Sequence, residues 1–165
     1  MISEEKFNEL KPYIKLNFAQ KTSENTAQNL PEKAKPTTDF SKTDLNKITF
    51  QQLIEFGFDE KSAASFIGFR NKLGGFVKSS QILETYNIDK NLAEKLINAS
   101  PLNNMNVQKF SLLDAPEDWL KNHPYFRYYA NKIIYYRISF PKESTIFEKM
   151  KAKPEDEAKM RLYLK

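Results

Sequence analysis

Cysteine is absent from the 165 residues, histidine occurs once and glycine four times. Without cysteine there is no disulfide, thiolate metal knuckle, iron–sulfur cluster or thiol nucleophile, and a cysteine-free chain suits cytosol and periplasm alike. A single histidine builds no histidine-based metal site, so neither metal nor cofactor is expected. Four glycines fall well below the ordinary share of about 7% and leave little material for glycine-rich phosphate loops. The longest apolar runs are far from the ~20 residues of a membrane helix, and the N-terminus lacks a basic-then-apolar signal pattern, so a soluble chain is expected. At roughly 100–200 residues per domain, the length allows one ordinary domain or two small ones.

Charge is present but unevenly placed. The net charge of +5 divides into +1 over 1–43, zero over 44–100 and +4 over 101–165. A nucleic-acid footprint needs a concentrated basic face, which only the last third offers.

Residues 1–15 predict one helix. Residues 16–43 have no apolar period, are rich in Thr, Asn, Gln, Lys and Pro, and predict a linker, or a strap lying on a neighbour through Phe18, Leu30 and Phe40. The rest predicts helices, hence an all-α fold. Thr49 caps a short helix with Leu53, Ile54 and Phe56 on its apolar side. Asp59 caps a second, running to about Lys72 with Ala63, Phe66 and Ile67 inward, and Gly74-Gly75 stops it. A third follows Ser79 or Ser80 with Ile82, Leu83 and Tyr86, and a fourth follows Asp89 with Leu92, Ala93, Leu96 and Ile97. The unit 44–100 is therefore four short helices in two tightly turned pairs.

The order recurs downstream. At an offset of 67, Leu53 falls on Leu120, Ala63 on Ala130, Phe66-Ile67 on Ile133-Ile134 and Phe69-Arg70 on Tyr136-Arg137. After a three-residue deletion, Ile82-Leu83-Glu84 falls on Ile146-Phe147-Glu148. Residues 101–165 thus form a second, degenerate unit. The opening ISEEKFNEL is similar to IDKNLAEKL at 88–96, so the chain is expected to be a piece of a longer repeat array opening on the last helix of an earlier copy.

With Asn46, Leu53, Gly57-Phe58, Ala63, Ile67, Phe69-Arg70, Gly75-Phe76, Leu83, Ile88 and Leu96 in this order, residues 44–96 resemble the tandem helix-hairpin-helix domain of ComEA-type competence and DNA-uptake proteins. The resemblance covers about 50 residues well and the C-terminal part in degenerate form. It implies paired hairpins gripping the phosphate backbone of double-stranded DNA without reading sequence, with no enzymatic activity. Glycine lets the backbone approach a phosphate, and the amides of the following helix point at it. The residues implied are Gly57, Phe58, Lys61, Asn87, Ile88 and Lys90, with Arg127 and Lys132 in the second unit. The resemblance allows a periplasmic or membrane-anchored location if further N-terminal residues precede these, and a cytoplasmic one otherwise.

The departures point the other way. Asp59 and Asp89 stand where the second hairpin glycines belong, and an N-cap carboxylate fills an anion site itself. The counterpart in the second unit is Pro124-Tyr125-Phe126, which lacks one amide donor and sets two rings where a phosphate would approach. Gly57 and Asn87 are then either clasp residues or turn residues needing positive φ. Lys61 and Lys90 are either phosphate contacts or solvated side chains. Arg70 and Arg137 suit carbonyls and the dipole at a helix C-terminus. The rings Tyr125, Phe126, Tyr128, Tyr129, Tyr135 and Tyr136, with Arg127, Lys132 and Arg137, allow three uses. They stack single-stranded bases, they form a protein interface along 125–137, or they build a core. His123 reads as a polar turn residue and Trp119 as core. No nucleophilic constellation or paired carboxylates occur, so no small-molecule substrate is expected. The competing function is a scaffold that has lost DNA binding and associates with protein.

Overall fold

A computed structural model describes residues 38–165. The helix expected over 1–15, Phe18, Leu30 and most of 16–43 lie outside the described residues. What is described of that linker is tied down. Thr38 donates from its amide (2.7 Å) and hydroxyl (2.6 Å) to the Glu55 carboxylate, and these bonds hold the Glu55 pKa below its usual value. Phe40, in a 3-10 turn over Phe40–Lys42, meets Phe56 edge-on at 4.8 Å.

The fold is all-α, with no strand among the described residues beyond one isolated bridge between Phe110 and Leu164. Local chemistry sets the helix limits. Helix α1 (Phe50–Phe56) begins at a capping box in which the Thr49 side chain accepts from the Gln52 amide and the Gln52 side chain accepts from the Thr49 amide. Helix α2 (Glu60–Leu73) begins at Asp59 and ends at Gly74, left-handed at φ 74°. Ser79–Glu84 is a 3-10 helix, not an α-helix, because the Gln81 carboxamide takes the Val77 and Lys78 amides (2.7 and 2.8 Å) and Thr85 ends the turn. Tyr86, expected on its inner side, is exposed instead. Helix α3 (Lys90–Ala99) begins at Asp89 and buries Ala93 and Leu96.

Helices α4 (Glu117–Asn122), α5 (Ala130–Ser139), α6 (Glu143–Met150) and α7 (Pro154–Arg161) repeat this order. Leu53 and Leu120, Ala63 and Ala130, Phe66 and Ile133, and Ile82 and Ile146 are all buried as the offsets require. The register continues past Glu148 at an offset of 64. There left-handed Asn87 (φ 57°) matches left-handed Lys151 (φ 51°), Asp89 matches Lys153 as N-cap, and buried Leu96 matches buried Met160.

Both halves share one hydrophobic core. Tyr163, fully buried, donates its hydroxyl to the Gly75 carbonyl (2.7 Å) and accepts from the Gln81 carboxamide (3.0 Å), which also reaches the Tyr125 hydroxyl (3.1 Å). Lys159 closes an ion pair with Glu84 at 2.9 Å. Polar groups that would be costly to bury unpaired therefore satisfy one another across the junction. Among the described residues no helix is long and apolar enough to cross a membrane.

Candidate nucleic-acid interface

The hairpin between α1 and α2 uses its own donors. Gly57 donates to the Ile54 carbonyl at 3.0 Å and Phe58 to that of Leu53 at 3.0 Å, while the Phe58 ring is buried. Asp59 accepts from the Ser62 amide (2.9 Å) and lies 2.7 Å from the Ser62 hydroxyl. The Ser62 hydroxyl is the main cause that keeps the Asp59 carboxyl below the usual carboxylate range. The Ser62 hydroxyl is also 2.8 Å from the Asn87 carbonyl, so the two hairpins of this half lie side by side. In the second hairpin Asp89 accepts from the Leu92 amide at 3.0 Å, and Ile88 packs half-buried on the core. Lys61 and Lys90 are exposed and make no ion pair among the described residues. At both hairpins a carboxylate of the chain itself sits on the helix amides that a phosphate would need.

Gly57 has φ 116°, and a Cβ there would meet only Leu92 side-chain atoms at 3.9 Å. Space is not what demands glycine; the backbone angle is. Gly57→Ala is expected to cost about 1–2 kcal/mol of stability, read as a lowered urea midpoint. A wild-type midpoint in Gly57→Ala would show that the turn relaxes to negative φ.

Arg70 and Arg137 do not cap their own helices but reach backbone carbonyls outside them. Arg70 donates to the Ile48 (2.7 Å) and Leu45 (3.3 Å) carbonyls, and Arg137 donates to Ala115 (2.6 Å), the repeat counterpart of Ile48. Each half-buried guanidinium ties the segment ahead of a helix pair to the second helix of that pair. Asn46 makes a similar tie. Its side chain donates to the Phe76 (2.9 Å) and Asn103 (2.8 Å) carbonyls and accepts from the Phe76 amide (2.7 Å). It lines, with Asp44 and Arg70, a cleft of about 510 Å³.

The second half places its aromatic residues differently from the expectation. Phe126, counterpart of Asp59, is fully buried, and Tyr125 is half-buried with its hydroxyl between Gln81 and Glu84. These rings fill the core and do not bar a phosphate. Tyr129 is buried and Tyr136 half-buried, whereas Tyr128 and Tyr135 are 82% and 70% exposed. Trp119 packs among Phe110, His123 and Phe126 at centroid distances of 4.8–4.9 Å. His123 is likewise no surface turn residue. It is buried against the Tyr163 ring at 4.6 Å, and its Nδ1 accepts from the Tyr125 amide at 3.2 Å. Its Nε2 is buried without a hydrogen-bond partner among the described residues.

The hairpin between α6 and α7 carries cations where the first half carries acid. Lys153 is the α7 N-cap and makes no side-chain cap bond, and Lys151 occupies the left-handed position. Lys132, on α5, is exposed and brings its ammonium to 3.4 Å from the Met150 carbonyl beside this turn, and Arg127 is exposed in the turn ahead of the same helix. Tyr129, counterpart of Ser62, joins the two hairpins of this half. Its hydroxyl donates to Asp156 (2.8 Å) and accepts from the Lys153 amide (3.4 Å). Lys151 and Lys153 were missed by sequence reasoning, which followed the repeat only to Glu148; carrying the same offset three residues further reaches Lys151. Comparison of the chain with protein-family models, with curated proteins and with solved structures gives no match.

Proposed function

We propose that this protein is a non-enzymatic nucleic-acid-binding module of the helix-hairpin-helix type, holding the phosphate backbone without sequence preference through its second half. The observation that carries the reading is the gathering of Arg127, Lys132, Lys151 and Lys153 at hairpins with no carboxylate cap. The corresponding hairpins of the first half are closed by Asp59 and Asp89. The charge of +4 over 101–165, against zero over 44–100, points the same way. Contact runs through side chains: Pro154 has no amide to offer, and Glu155, Asp156 and Glu157 occupy the first turn of α7.

The test is titration of a labelled duplex at low salt, followed by anisotropy. Lys151→Glu with Lys153→Glu is expected to lower affinity tenfold or more and to reduce the salt slope by about two. Lys61→Glu with Lys90→Glu is expected to leave affinity within about twofold, since those lysines flank filled sites. No anisotropy change at low salt would end this reading. The second reading, a scaffold for protein association, is favoured by Ile138, 81% exposed one turn from Tyr135. Self-association in sedimentation without nucleic acid would support it.

A further inference from the structure

We propose that the outer face of α5, with the turn that leads into it, takes single-stranded nucleic acid, whose bases stack on Tyr128 and Tyr135 while its phosphates meet Arg127, Lys132, Lys151 and Lys153. This rests on the reading of the same hairpins as a phosphate-binding surface, and adds which form of nucleic acid they prefer.

The six rings of 125–136 are sorted by the fold. Four turn inward, and only Tyr128 and Tyr135 stay in solvent. Tyr135 lies on α5, and Tyr128 in the turn two residues ahead of its first residue. Tyr128 stands edge-on to Tyr129 at 4.9 Å, and Tyr129 in turn receives the Lys153 amide, so the first ring adjoins the cationic hairpin. Between the rings in sequence, Asn131 and Lys132 are exposed in the first turn of α5.

That composition separates nucleic acid from a protein partner. The centre of a protein interface is depleted of charge, whereas a strand-binding groove alternates aromatic faces with cations. Strandedness follows from the same rings. A duplex keeps its base faces stacked inside and offers these tyrosines only sugar and phosphate, while a single strand presents a face for every exposed ring.

The experiment compares a labelled oligothymidylate of roughly fifteen nucleotides with a duplex of equal length, using the full chain at low salt. The single strand is expected to bind more tightly. Tyr128→Ala and Tyr135→Ala are each expected to lower its affinity about tenfold without altering duplex binding, and the phenylalanine variants to retain it. Because both rings are exposed, wild-type melting temperatures should certify that the variants fold. If the alanine variants bind the single strand like wild type while Lys151→Glu with Lys153→Glu abolishes binding, stacking is overturned and the backbone reading stands. If neither nucleic acid binds, both fall. If Tyr135→Ala changes only the oligomeric state, the face is a protein interface and the proposal is overturned.

Discussion

Tyr163→Ala is expected to be the most damaging single substitution in the described part of the chain, costing about 4 kcal/mol or more of unfolding free energy. Two effects combine. The fully buried ring leaves a cavity beside His123 and Tyr125, and truncations of large buried aromatic residues cost about 3–5 kcal/mol. The lost hydroxyl also strands the Gly75 carbonyl and takes from the Gln81 carboxamide one of the two hydroxyls it reaches, both groups belonging to the first half. Tyr163→Phe isolates the second effect at about 1–2 kcal/mol. Against a total stability of ~5–15 kcal/mol, the alanine variant is close to unfolding at ambient temperature. Urea melts of the three proteins measure both numbers. A loss below about 1 kcal/mol for the alanine variant would mean that the halves do not depend on their shared core.

The second large effect is a loss of stability in mild acid, set by His123. Burial among aromatic rings pushes its pKa down to about 4, from 6.5 in the unfolded chain. The Nδ1 atom is an acceptor for the Tyr125 amide, a role open only to the neutral ring. Between these two values the unfolded chain binds a proton that the folded chain refuses, so stability falls as pH falls. The contribution is complete above about pH 6.5, declines by ~1.4 kcal/mol per pH unit, and has lost about 3 kcal/mol near pH 4. Below that both states are protonated and this contribution changes no further. Urea midpoints at neutral and acid pH follow the decline, and His123→Phe, which places there the residue type found at the counterpart Phe56, is expected to flatten it. An imidazole whose NMR titration in the folded protein centred near 6.5 would contradict this account.

The first half was largely legible because its boundaries are local. Thr49, Asp59 and Asp89 cap the helices they precede, and Gly74 and Asn87 adopt the left-handed angles their residue types allow. Each needs only neighbours three or four residues away. Asp59 and Asp89 on their own helix amides follow from the same reasoning. The 3-10 form of Ser79–Glu84 was less legible, since it depends on Gln81 turning back to two amides while its far end reaches Tyr163. The sorting of the rings was illegible for a similar reason. Helical spacing says that six rings cannot share one face, but not which two remain in solvent. His123 precedes a proline and has the appearance of a turn residue until Tyr163, forty residues on, covers it.

By itself the sequence determined that the chain is helical, that its apolar positions recur in one order at an offset of 67 and then 64, where the α-helices of the first copy begin, and that Asp59 and Asp89 cap two of them. These are properties of residue type and spacing, settled within a turn of backbone. Only the tertiary structure decided that the halves share one core, that Arg70 and Arg137 tie backbone segments together, that His123 is buried, and that Lys132 reaches the turn that carries Lys151 and Lys153. Each of these depends on residues eighteen or more positions apart, brought together by burying apolar area that a linear reading cannot assign to a partner.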